Sequence, residues 1–266
     1  MGVKRTAGVV ARATAVAALC LTAMGWQSPA SGNAAAPAQV DPSLGTGYLT
    51  TEGSDQFALT VTGSSDDPVV TVAAPATNTG ANTRLAFWLQ ADGISRHQQS
   101  CATFEGSHAG IRQPGIALRI RNVDGRTRAI TVTKNIIFGA GWGFNIHGMD
   151  SAANPAFTGL AGFDLSSVFR DGDYAVPYPW RMCARVVAGT VGFKVWPLTH
   201  AEPAWGNPSY GGSVRLPIEW SRSVGHPGLY MGHLAAGESF QFSNLVAGPV
   251  APVVGAPATV VRTPPL

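Results

Sequence analysis

Residues 179–205 read PWRMCARVVAGTVGFKVWPLTHAEPAW, and this stretch decides the fold class. It holds two apolar runs of strand length, a glycine-containing turn, one cysteine and three tryptophans. The first run, 182–187, is rich in β-formers. Residues 188–192 form the turn. The second run, 193–196, stops at Pro197, which has no N–H to give a sheet ladder. Two such runs joined by a loop of about five residues predict a β-hairpin.

The N-terminus is read separately. Lys4, Arg5 and Arg12 precede an apolar run over 13–26, and small residues follow over 30–36. A basic start, a short apolar core and a small-residue cleavage zone predict a secretory signal peptide over residues 1–32, followed by a flexible leader over 33–44. The apolar run falls short of the ~20 residues that cross a bilayer, so no membrane span is expected. Cys20 follows Leu19 rather than a small residue, which argues against lipidation.

Export changes two other readings. The formal charge of +3 arises from 18 basic and 15 acidic residues. Three of the basic ones leave with the signal peptide, so the mature chain is formally neutral and no nucleic-acid partner is expected. Two cysteines remain, Cys101 and Cys183. In an oxidising compartment they are expected to form one disulfide, the alternative being two separate buried thiols. Such a bridge closes a loop of about 80 residues and stabilises by up to ~4 kcal/mol through chain entropy.

The whole chain carries many glycines and prolines and few charges: Gly 32, Pro 19 and 12 % charged residues, with 45 % hydrophobic. This composition fits short strands joined by turns rather than disorder. Alternation places Leu85, Phe87 and Leu89 on one face of a strand and Ala86, Trp88 and Gln90 on the other. It likewise sets Ile116, Leu118 and Ile120 against Ala117, Arg119 and Arg121. Further strands are expected over 57–62, 69–73, 101–108, 128–138, 142–147, 216–221, 228–233 and 239–246. The stretch 154–169 admits a helical turn. Residues 248–266 are rich in Pro, Ala and Val and read as a disordered tail. The expectation is a single all-β domain over 45–247, an antiparallel β-sandwich of jelly-roll type.

Trp180-Arg181, Gly189, Lys194-Val195-Trp196-Pro197 and Glu202-Pro203-Ala204-Trp205 together resemble the concanavalin A-like lectin/glucanase superfamily, in particular its laminin-G-like members. Gly228-Leu229-Tyr230-Met231-Gly232 resembles the family's penultimate strand, and residues 240–246 (FQFSNLV) its closing strand. The match covers residues 179–246. Where family members often carry Asp-Asn, this chain has Ser243-Asn244, which weakens any inference of a metal there. The resemblance implies a concanavalin A-like fold that hosts lectins, glycosidases, polysaccharide lyases and adhesion modules alike.

Glycoside hydrolysis needs two carboxylates flanking the sugar. The glucanases the chain resembles carry a Glu-x-Asp-x-Glu type run, and no strand here does. Asp171 and Asp173, and Asp66 and Asp67, sit in turn sequences, where they are the weak candidates for a calcium ion. No other cofactor is expected. His97, His108, His147, His200, His226 and His233 show no zinc spacing, and no Gly-x-Ser-x-Gly elbow is present.

Sugar binding calls for aromatic faces flanked by polar groups. Arg119, Arg121, Trp142, Asn145, His147 and Trp196 are the candidates, against the alternative that tryptophans belong to the core and arginines to the solvated surface. The expectation is a secreted module, extracellular or attached to the cell envelope, that binds an oligosaccharide, a polysaccharide or a cell-surface glycoconjugate without turnover. A lyase or glycoside hydrolase would instead draw on Arg119, His147 and Tyr174, with His or Tyr as base and Arg neutralising a uronate. A protein-binding adhesion module would show a flat apolar patch.

Overall fold

The computed structural model describes residues 41–50, 56–77, 82–90, 92–106, 112–136 and 141–252. The signal peptide, most of the leader, Cys20, His108 and all but the first residues of the tail lie outside the described residues. The chain divides into two units, 1–34 and 35–266, and every described residue belongs to the second.

The described chain is built of strands: β1 Leu44–Thr50, β2 Ala58–Ser64, β3 Asp67–Ala73, β4 Thr83–Leu89, β5 Gln98–Glu105, β6 Gln113–Val123, β7 Arg126–Lys134, β8 Gly143–Asp150 and β9 Phe157–Asp164. A short helix α1 Ser166–Phe169 and a two-stranded ribbon, β10 Arg170–Asp171 and β11 Tyr174–Ala175, follow. Then come β12 Trp180–Val187, β13 Thr190–Pro197, β14 Gly211–Arg215, helix α2 Ile218–Ser221, β15 His226–Gly232 and β16 Ser239–Pro249.

Two seven-stranded antiparallel sheets result. Sheet I has the order β1-β4-β15-β6-β7-β8-β9 and sheet II the order β14-β13-β12-β5-β16-β3-β2. Their facing sides carry the main core. Leu85, Phe87, Ile116, Leu118, Ile130, Val132 and Ile146 come from sheet I, and Phe104, Trp180, Met182, Phe193, Phe240 and Phe242 from sheet II. The fold is the antiparallel β-sandwich that the strand pattern predicts.

The hairpin at 180–197 is tighter than expected. Trp180 pairs with Pro197 and Val187 with Thr190, so the turn is only Ala188-Gly189, both at positive φ (48° and 77°). Two such residues in succession make the turn whose twist matches a hairpin. Residues 216–221 depart from the strand expectation. Pro217 precedes α2 as its N-cap, and the chain turns helical at Ile218. Pro217 has no N–H to give a ladder, and its φ and ψ (−55° and 159°) lead straight into the helix. The last strand runs on through Gly248 and Pro249, residues that composition assigns to the tail.

Sheet I curls on itself. Asn122 Nδ2 donates to Thr46 O at 3.1 Å, although β1 and β6 are three places apart in the sheet. A Cβ on Gly47 would run into the Thr127 side chain of β7, so only glycine lets the two strands approach. The outer face of sheet I is therefore filled by a second core of Leu49, Ala86, Trp88, Ala117, Ala129, Met149 and Tyr230.

The alternation expected in β6 breaks at a bulge between Leu118 and Arg121. Arg119 takes φ +52° there, and Ile120 moves to the second core instead of the first. Arg119 is 2 % exposed. Its guanidinium donates to Arg96 O (2.9 and 3.2 Å) and Trp220 O (2.5 Å), and its N–H to Gln98 Oε1 (2.7 Å). Replacing it with methionine keeps the apolar stem but takes both guanidinium donors from Arg96 O and leaves Trp220 O with the Ser223 hydroxyl alone. Arg119→Met is expected to lower unfolding stability by at least ~2 kcal/mol in urea melts, with no change in far-UV circular dichroism at low denaturant.

Candidate functional site

The outward side of sheet II is the open polar face of the sandwich. On β12, Arg181, Cys183 and Arg185 alternate with the core residues Met182 and Ala184 and so point outward together. Register places Cys183 directly across from Cys101 of β5, and the two form the expected disulfide across 82 residues of sequence. Trp196, Trp205 and Tyr210 pack against it, apart from the main core.

Residues 198–210 return over β13 and are tied down there. Lys194, 6 % exposed, donates from Nζ to Glu202 Oε1 (2.5 Å) and Pro203 O (2.9 Å). The same ammonium lies 5.0 Å from the Trp205 ring centroid and 5.4 Å from that of Trp196. The Arg185 guanidinium sits 4.0 Å from the Trp205 centroid. Such cation–π contacts are worth ~0.5–1 kcal/mol at exposed sites and more when desolvated. His200 Nδ1 and Tyr210 Oη lie 3.1 Å apart at the base of the loop.

From Arg181 a hydrogen-bonded track crosses the sheet. Arg181 Nη1 donates to Thr103 Oγ1 (3.2 Å) and Asn244 O (2.9 Å). Asn244 Nδ2 reaches Thr103 Oγ1 and Ser243 Oγ, each at 3.3 Å. Ser243 Oγ donates to Glu105 Oε1 at 2.8 Å. In the next row Gln241 Nε2 donates to Thr71 Oγ1 at 3.3 Å. The track spans β12, β5, β16 and β3, roughly 15 Å at ~4.8 Å per strand. A β-bulge between Ser243 and Val246, with Asn244 at φ +50°, aims the asparagine out of the sheet.

At its far end the track meets a wide open cleft lined by Glu105, Arg112, Glu238 and Gln241. Arg112 holds Glu238 in a two-pronged ion pair (2.9 and 3.2 Å), which lowers the Glu238 carboxyl from its ordinary range. Partial burial pulls the Arg181 and Arg185 guanidinium groups downward, and the Glu202 charge opposes this at Arg181.

Hydrogen-bonding capacity remains along this face. Arg181 Nε and Nη2, the whole Arg185 guanidinium, Glu105 Oε2 and Gln241 Oε1 make no hydrogen bond to any described residue. The void between the sheets, lined by Leu44, Val70, Phe87 and Leu229, has about 20 Å³ and holds one water at most, so it is no ligand pocket.

The residues singled out from sequence fall elsewhere. Arg119 is the buried clamp described above and does not share a face with Arg121, which is exposed. Trp196 is 3 % exposed beneath residues 198–210. Trp142 is half-buried, with the Arg170 guanidinium 5.2 Å from its ring. Asn145 and His147 lie across from Thr133 and Thr131 on the outer face of sheet I. Tyr174, 80 % exposed, stands on the separate β10–β11 ribbon. The lyase trio of Arg119, His147 and Tyr174 is therefore not drawn together: one is clamped to carbonyls, one lies on sheet I and one faces solvent.

Asp66 and Asp67 are exposed in the β2–β3 turn, and Asp171 and Asp173 in the ribbon turn, with Asp173 3.6 Å from Arg170. Among the described residues no group of three or more His, Cys, Asp or Glu side chains could hold a metal. Among them, too, no helix is long and apolar enough to cross a membrane.

Arg181, Trp205 and Asn244 entered the sequence reading only as residues that carry the resemblance, and Arg185 was not among the binding candidates. The i, i+2, i+4 spacing of Arg181, Cys183 and Arg185 on a predicted strand was the signal that put the arginines beside the disulfide.

Solved structures of lectin-like sandwiches resemble this fold at low identity. Carbohydrate binding module CBM66 from Bacillus subtilis is 10 % identical, with 79 % of this chain and 99 % of that one covered and a TM-score of 0.37. The VIP36 exoplasmic/lumenal domain in its Ca²⁺/Man3GlcNAc-bound form is 12 % identical, with 75 % and 86 % covered and a TM-score of 0.40. A Bacillus subtilis protein of unknown function with a galectin-like fold is 12 % identical, with 71 % and 87 % covered and a TM-score of 0.41. No protein-family model and no curated protein matches the chain.

His147 gives a pH dependence. Burial first, and the Arg84 charge second, push its imidazole down to about 4. The unfolded chain, with histidine near ~6.5, binds the proton earlier. Stability is therefore fully present above pH ~6.5 and falls as the pH drops toward 4, by up to about 3 kcal/mol. Thermal melts between pH 7 and 4.5 should show this slope, and His147→Gln should flatten it.

Proposed function

We propose that this chain is an exported, laminin-G-like carbohydrate-binding module that holds an oligosaccharide, a polysaccharide or a cell-surface glycoconjugate across the outer face of sheet II without turning it over. The observation that carries the reading is the track from Arg181 through Asn244 and Ser243 to Glu105 and Gln241, with its unused donors and acceptors beside the Trp205 edge. Sugar hydroxyls are recognised by convergent arginine, amide and carboxylate groups of this kind. Strands rather than loops carry most of the track, so little ordering is needed on binding.

Export is supported by the N-terminal segment and by the disulfide, which persists in oxidising compartments. The absence of turnover is supported by the missing Glu-x-Asp-x-Glu run and by the state of three paired carboxylates, while burial raises the Asp92 carboxyl. Asp150 and Glu238 are ion-paired and held below their ordinary range, so neither is poised as a general acid at neutral pH. Glu202 is engaged by Lys194. Calcium enters this reading only through the acidic turns at Asp66-Asp67 and Asp171–Asp173.

A glycan array probed with the whole mature chain, with calcium and with EDTA, tests the proposal. Saturable binding to one sugar class is expected, and Arg181→Ala with Asn244→Ala should weaken it at least tenfold, about 1.4 kcal/mol. Loss in EDTA would bring in the acidic turns. Silence across the array, or full binding by the double variant, would sink the reading and favour a protein-binding module.

A further inference from the structure

A second surface, built on the β6–β7 hairpin and α2 rather than on the outer face of sheet II, concentrates positive charge. The β6–β7 hairpin places Arg121 directly across the ladder from Arg128. Side chains so paired have Cβ atoms about 5 Å apart, and like charges there are unfavourable. Arg126 and Arg128 both lean on Asp150, with contacts of 2.6 and 3.1 Å to its Oδ2, so that single carboxylate is already shared. No ion pair to any described residue reaches Arg121.

Helix α2 brings in further charge. The Arg128 guanidinium lies 4.5 Å from the Trp220 ring centroid. Arg119 donates to Trp220 O, and Arg96 Nη2 lies 3.4 Å from Ser221 O, one residue before the exposed Arg222. Arg119 is buried among carbonyls with no carboxylate partner, and the Arg96 charge adds to burial in pulling it down to about 10. Arg96, Arg119 and Arg128 thus touch one turn of helix that Arg222 follows, and Arg121 and Arg126 flank Arg128 on the hairpin. The carboxylates on these elements are Asp92, Asp124, Asp150 and Glu219. The arginines outnumber them in a mature chain that is neutral overall.

We infer that this hairpin–α2 surface is an anion-binding site, separate from the polar track, that takes the carboxylate or sulfate groups of a polyanionic glycan. An anion bridging Arg121, Arg96 and Arg222 relieves the repulsion that the fold builds in, and guanidinium groups match such oxyanions with paired hydrogen bonds. The choice of a glycan over a nucleic acid rests on the exported compartment in the reading above. The local aromatic, Trp220, is only 6 % exposed and offers no face on which a base can stack.

The test uses the whole mature chain against immobilised heparin, polygalacturonate, neutral dextran and duplex DNA, at low and at physiological salt. Expected are salt-sensitive binding to heparin or polygalacturonate, none to dextran, and weaker binding to DNA. The exposed-residue variant Arg96→Ser/Arg121→Ser/Arg222→Ser should lose at least tenfold, and Arg121→Ser alone a smaller share. Arg181→Ala should leave polyanion binding intact, which keeps the two surfaces distinguishable. The inference is overturned by no polyanion binding, by unchanged binding in the triple variant, by loss in Arg181→Ala instead, or by DNA bound as tightly as the glycans.

Discussion

The pairing of Cys101 with Cys183 is the constraint on which the rest of the candidate site depends. It joins β5, from the first half of the chain, to β12, from the second, at residues already opposite in the ladder. Once that register is fixed, every outward residue on both strands has a set neighbour: Arg181 meets Thr103, and Arg185 meets Gln99. A one-residue slip would turn the arginines inward and Met182 and Ala184 outward. The bridge also gives Trp196 and Trp205 an apolar base, so residues 198–210 have something to close on. The cation–π contacts of Lys194 and Arg185 then hold Trp205 in place.

Arg119 plays the corresponding part where sheet I meets the start of β5. A bulge in β6 turns it inward, and its donors satisfy carbonyls of the 95–98 segment and of α2, which the sheet ladders cannot reach. Burying a lone guanidinium is costly unless its donors are satisfied. Here the accepting carbonyls provide that, and the same contacts fix α2 against the β6–β7 hairpin. The arginine that sequence offered as a ligand contact is a structural tie, and by holding α2 it gathers the exposed arginines around it.

Much of the fold was legible because alternation survives wherever the ladder is regular. Residues 83–90 show it: Leu85 and Phe87 go to the main core, Ala86 and Trp88 to the second, as their spacing requires. The reading failed where one extra residue entered a strand. The β6 bulge shifts Arg119 and Ile120 to faces that period-2 counting assigns wrongly, and no local composition marks it. Trp196 alternates with the core residues Phe193 and Val195 of β13, but sequence could not show that residues 198–210 fold back and bury it. The short strands β1 and β14 are glycine-rich and lack an apolar stripe, so they carried no signal. The candidate-site residues were obscured for a different reason: Arg181 and Asn244 lie 63 residues apart and meet only through the order β12-β5-β16.

The curl of sheet I explains why the two surfaces sit where they do. Gly47 against Thr127 closes the outer face of that sheet, and Tyr230, Trp88 and Met149 fill it. A sandwich whose one outer face is spent on a second core has the other outer face and the ends left for recognition. Sheet II's outer face keeps strand-borne polar groups with hydrogen-bonding capacity to spare, a geometry suited to neutral hydroxyls at defined positions. The hairpin–α2 end keeps uncompensated guanidinium charge on flexible side chains, which suits an anionic group of less defined position. The division follows from packing: positional specificity belongs where the ladder fixes register, and long-range attraction belongs where the chain leaves it.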